Sequence, residues 1–162
     1  MVTRANIFEI LGRLSVLFST LDAEVQTLLC LLVSKEDFMM AASLLEGITF
    51  ARTLDSLEKV SRFQDTVMES RLTRLLSVIK PLRKKRNLFV HGCWDISPKL
   101  LDQGLVMVTD SKIQFEHSKN RKTWRKGKSQ TVRYQDLQEY QTEVMRGLKM
   151  TKELLMSLEN AA

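Results

Sequence analysis

The chain has 162 residues, 44% of them apolar and 27% charged, enough for one domain with a hydrophobic core and unlike the composition of a disordered chain. Its two cysteines, Cys30 and Cys93, have no partner at metal-ligand spacing, which excludes a disulfide-stapled secreted scaffold and a cysteine zinc site. The net charge of +6 is local: seven of the 25 Lys and Arg fall between His117 and Arg133, where there is no acid, and Lys80, Arg83, Lys84, Lys85 and Arg86 form a second cluster. Positive charge gathered this way attracts polyanions, nucleic acid first.

In chain order, the first predicted element is a long helix. Ile7, Leu11, Leu14, Phe18, Leu21, Val25, Leu28 and Leu32 alternate at spacings of four and three, one stripe along an α-helix. Thr3 or Asn6 is placed to cap it. Such a regular seam suits the core of a bundle or a dimer interface. The longest purely apolar run, Leu28 to Val33, is too short to span a bilayer. A second helix is expected from about Glu36 to Glu46, closed by Gly47, and a third after Thr49 with Phe50, Leu54, Leu57 and Val60 or Ser61 on one face.

The fourth helix begins near Asp65 or Thr66. Its stripe is Met68, Leu72, Leu75, Ile79 and Leu82, and the next position in the series is Arg86. Pro81 lies inside it and predicts a kink or a loosened turn. Gly92 ends the pattern. Leu105 to Thr109 and Ile113 to Phe115 then read as short strands around a polar turn, Asp110-Ser111-Lys112. The basic stretch follows as a loop or hairpin arm, and a last helix from about Gln135 to Glu159 buries Leu137, Tyr140, Val144, Leu148, Thr151, Leu155 and Leu158. The expectation is a single, mainly α domain over residues 1–162: an up-and-down bundle of about five helices, with a β-hairpin and basic-loop insertion at about 93–133 before the last helix.

No glycine-rich phosphate loop and no nucleophile elbow is present. The two histidines are far apart, no carboxylate constellation is identifiable, and so no metal or other cofactor is expected. Cys93, two residues from His91, is a conceivable nucleophile, although free cysteines are commonly small buried hydrophobes. The segment with chemical potential is Arg86-Asn87-Leu88-Phe89-Val90-His91. Arg86 stands on an apolar seam and must snorkel or find a partner, because burying an unpaired charge is costly. Asn87 and His91 are four residues apart and share a helix face. A histidine near neutral pKa moves protons, and an arginine matches phosphate oxygens and the charge that builds on them. Asparagine orients the ring or binds a phosphate. The set suits cleavage of RNA by attack of a ribose 2′-hydroxyl on the adjacent phosphorus. One histidine cannot easily serve as both acid and base, which favours a dimer. A plainer account also exists: a helix-end histidine facing the terminal carbonyls, and a solvated basic face.

Arg-Asn-x-x-x-His-Gly late in a long helix resembles the HEPN family (higher eukaryotes and prokaryotes nucleotide-binding), and the helical order of the chain is similar to it more loosely. The resemblance implies a bundle that dimerises along the motif helices and a metal-independent endoribonuclease of the toxin–antitoxin or phage-defence kind. By similarity, His91 is the acid–base residue, Arg86 contacts the phosphate and the transition state, and Asn87 orients. Some toxin members carry a tyrosine two residues after the histidine, modified by a partner nucleotidyltransferase; Cys93 stands there here, so that regulation is not expected. The implied partners are a second copy of the chain, RNA and a cognate antitoxin protein.

Lys84, Lys85, Arg121, Lys122, Trp124, Arg125, Lys126 and Lys128 are the expected nucleic-acid contacts, with Trp124 available to stack on a base. The alternative for the basic stretch is a solvated loop with one aromatic tucked in; Trp94 reads as a core anchor. With no leader-like N-terminus and no spanning segment, a cytoplasmic protein away from membranes is expected. The alternative function is a non-catalytic helical dimer of the same kind that binds nucleic acid or a protein partner.

Overall fold

The computed structural model describes residues 2–110, 114–118, 121–125 and 128–160, the two segments at 114–118 and 121–125 by their backbone alone. Four helices make the body: α1 (Arg4–Val33), α3 (Phe50–Ser61), α4 (Thr66–His91) and α6 (Tyr134–Glu159), with short α2 (Phe38–Leu44) and α5 (Pro98–Leu101) between them. The predicted caps are in place. Thr3 and Asn6 satisfy each other's backbone amides at the start of α1, Thr49 caps α3, and Asp65 accepts from the amides of Val67 and Met68 at the start of α4. Gly47 takes φ +72, the left-handed conformation expected of it. The helix α5 was not foreseen, although Ser97-Pro98 is a common start signal.

Contacts fix the directions. Phe50 meets Arg86 and Glu58 meets Lys80, so α3 runs antiparallel to α4. Tyr140 bonds Leu82 and Arg71 bonds Ser157, so α6 is also antiparallel to α4. Phe18 meets Tyr140 and Lys152 meets Glu24, so α1 and α6 lie side by side and parallel. The core is one cluster, in which the stripes of α1, α3, α4 and α6 join Leu101, Val106, Val108 and Val132. By length and hydropathy α1 is apolar enough to cross a membrane. Its stripe from Ile7 to Leu28, however, fills the centre of this core.

The strands correct one expectation. β2 (Leu105–Thr109) does not form a hairpin with the next strand around Asp110-Ser111-Lys112. It is the middle of an antiparallel sheet, paired with β1 (Cys93–Asp95) on one side and β5 (Ser129–Arg133) on the other. β3 (Gln114–Ser118), expected over 113–115, pairs instead with β4 (Arg121–Arg125); Ile113 lies outside the described residues. The polar triplet reads as a turn signal in the sequence, but Val106 and Val108 of β2 bury with Val132 of β5, and that packing decides the pairing of β2; Ser111 and Lys112 lie outside the described residues.

Candidate active site at the end of α4

About one and a half helical turns of α4 separate Pro81 from Arg86, where the motif begins. The helix runs through Pro81 without interruption. The ring carries no N–H for the Ser77 carbonyl, and both residues are exposed, so water can take that acceptor. One residue on, the buried Tyr140 hydroxyl donates to the Leu82 carbonyl, and burial pushes its pKa upward, so it stays a phenol and a donor.

Arg86 points into the molecule. Its guanidinium lies 3.5 Å from an Asp22 carboxylate oxygen on α1 and 5.8 Å over the Phe50 ring on α3. The pair is about three-quarters covered, and the buried Arg86 Nε has no acceptor. Burial raises the Asp22 pKa, and the Arg86 charge lowers it by less. The seam cation therefore found a partner, but one loosely placed. Asp22 was missed in the sequence. The available signal was that Asp22 and Glu24 are the only charges between Leu14 and Val33.

Asn87 and His91 are exposed. At 3.6 residues per turn, His91 lies about 40° around the helix from Asn87 and about 140° from Arg86. The structure thus brings Asn87 and His91 to one open face and turns Arg86 away toward α1 and α3. Cys93 is exposed at the start of β1, whereas Cys30 is buried with its thiol pKa raised, an inert hydrophobe.

Gly92 after His91 does not take the left-handed conformation; its φ is −75. It is needed for closeness: a Cβ there would collide with the Leu88 carbonyl and the Val108 side chain and lie 3.2 Å from the Thr109 carbonyl. The sheet is therefore pressed against the helix end. Cys93 pairs with Thr109, Thr109 with Ser129, and the Asp110 amide donates to the Lys128 carbonyl at 3.2 Å. The basic ribbon thus leaves the sheet two residues from His91. Trp94, as expected, anchors: its indole donates to the Phe89 carbonyl at 3.1 Å, and its ring packs on Phe89, which packs on Tyr140.

Of the expected nucleic-acid contacts, Lys84 and Lys128 are exposed. Lys85 lies 5.2 Å over the Tyr140 ring, in an α4–α6 groove of about 550 Å³ whose far wall carries Asp136, Glu139 and Glu143. Arg146 lines the same groove and pairs with Glu143, and Asp136 pairs with Arg133, so Lys85 sits in a mixed-charge groove and not on an open cationic face. Arg121, Lys122, Trp124 and Arg125 occupy β4, and Lys126 lies outside the described residues. Among the described residues no three His, Cys, Asp or Glu side chains gather as a metal site. Comparison of the chain with protein-family models, curated proteins and solved structures finds no match.

Proposed function

We propose that this protein is a metal-independent endoribonuclease of the HEPN kind, cutting RNA at a composite site formed by two copies of the chain. The observation that supports it best is the shared root: the basic ribbon departs from the sheet beside Cys93, two residues past the open face of Asn87 and His91. A strand of RNA held on the ribbon runs past the histidine. In the reaction, one His91 removes the proton of a ribose 2′-hydroxyl, whose oxygen bonds to phosphorus. The 5′-oxygen leaves with a proton from the partner copy's acid, and Arg86 balances the phosphorane charge. Arg86 must turn from Asp22 to do this, or act on the phosphate through the dimer seam.

The products are then a 2′,3′-cyclic phosphate and a 5′-hydroxyl, and a 2′-deoxy substitution at the cut position stops the reaction. Mapping the product ends by mass spectrometry checks this; 5′-phosphate ends would contradict it. The inward engagement of Arg86 with Asp22 and Phe50 favours one other reading, a non-catalytic helical dimer that binds nucleic acid or a protein partner. Tight, salt-dependent RNA binding without any cut would select that reading. A toxin or defence role, a cognate antitoxin and a cytoplasmic setting are parts of the proposal that a neighbouring antitoxin gene would support.

A further inference from the structure

The ribbon β3–β4 has two unlike faces. Residues directly opposite in an antiparallel pair share a face, and neighbours along each strand alternate. The register sets Phe115 opposite Trp124 and His117 opposite Lys122. Both aromatic residues of the ribbon therefore fall on one face, nearer its root, with a histidine–lysine pair about 7 Å farther out. The other face carries Gln114 with Arg125, Glu116 with Thr123 and Ser118 with Arg121: no aromatic, and two arginines beside a glutamate. Among the described residues β3–β4 gains no third strand.

We propose that the Phe115–Trp124 face is a platform for unpaired RNA, on which the two rings take bases and Lys122 neutralises the phosphate beside them. This rests on the reading that the basic ribbon binds RNA, and it specifies the substrate as single-stranded. Stacking on aromatic side chains accepts any base, because every base has a π-face, but the base must be free of its duplex neighbours. The opposite face, with cations and no rings, attracts phosphates of either form alike.

The test uses the full-length chain and two probes, an unstructured 2′-O-methyl oligouridine that 2′-hydroxyl attack cannot cut and a blunt RNA duplex. Phe115→Ala and Trp124→Ala are each expected to weaken oligouridine binding about tenfold without changing its salt dependence. Duplex affinity stays at the wild-type value, and Trp124→Phe retains most of the single-strand affinity. Replacing Arg121 and Arg125 together by Gln weakens both probes and flattens the salt dependence. Wild-type oligouridine binding by the alanine variants, or equal losses on both probes, overturns the platform alone. A wild-type protein that binds neither probe overturns the functional reading with it.

Discussion

Asp22 answers the question that Arg86 poses. A guanidinium on an apolar seam is costly unless paired, and Asp22 pairs it at 3.5 Å from α1. Yet burial raises the Asp22 pKa from its ordinary 3.8 by more than Arg86 lowers it. A carboxyl with a raised folded-state pKa contributes stability that is full below its unfolded value and lost as pH rises through the folded one. At neutral pH the ionised Asp22 therefore adds little to the fold. Asp22→Asn, which keeps an acceptor for Arg86, is expected to change the unfolding free energy at neutral pH by no more than about 1 kcal/mol, toward stability. Its advantage over the wild type disappears in acid, where Asp22 is protonated. Denaturant unfolding across the acid-to-neutral range checks this; a large loss at neutral pH would make the pair structural. Arg86 was legible in the sequence because it broke a regular stripe. Asp22, 64 residues away, was not, since only the packing of α1 on α4 reveals it.

At the scale of elements, local pattern carried the helices and failed where the reason for a residue lies in a neighbour. The spacings of α1, α3 and α4 showed their buried faces, and the caps showed their starts. Gly147 is the contrary case. It is buried in the middle of α6, where glycine costs roughly 1 kcal/mol against alanine, and nothing in its own helix explains it. A Cβ there would lie 2.9 Å from Ile79 Cγ2 on α4, so the glycine permits the close approach that holds Tyr140 against Leu82. Gly147→Ala is expected to gain helix propensity and lose more in overpacking, a net destabilisation of about 1 kcal/mol by denaturant unfolding. A more stable variant would contradict that packing. Likewise Gly92 read as a helix stop, and it stops the helix, but its smallness serves the approach of β2. The ribbon was half legible: its basic residues and one tryptophan stood out, while the partnership of Phe115 with Trp124 depends on a register that a polar triplet disguised.

At the scale of the whole molecule, positive charge is set apart from the bundle. The α4–α6 groove mixes Asp136, Glu139 and Glu143 with Lys85 and Arg146, whereas the basic ribbon lies between β2 and β5, whose paired ends adjoin Cys93, two residues past His91. Within one chain Arg86 and His91 face different ways, about 140° apart on the same helix. On the proposed reading, a site needing both, together with an acid and a base, is completed by a second copy. The ribbon, the exposed histidine and the seam arginine thus form one account of RNA cutting, and His91 is the residue on which it turns. The most direct measurement is cleavage of RNA by the purified wild-type chain beside His91→Ala in excess chelator, with matching thermal unfolding curves as the check on folding. The account predicts cutting by the wild type and none by the variant. Cutting by His91→Ala at the wild-type rate would contradict it.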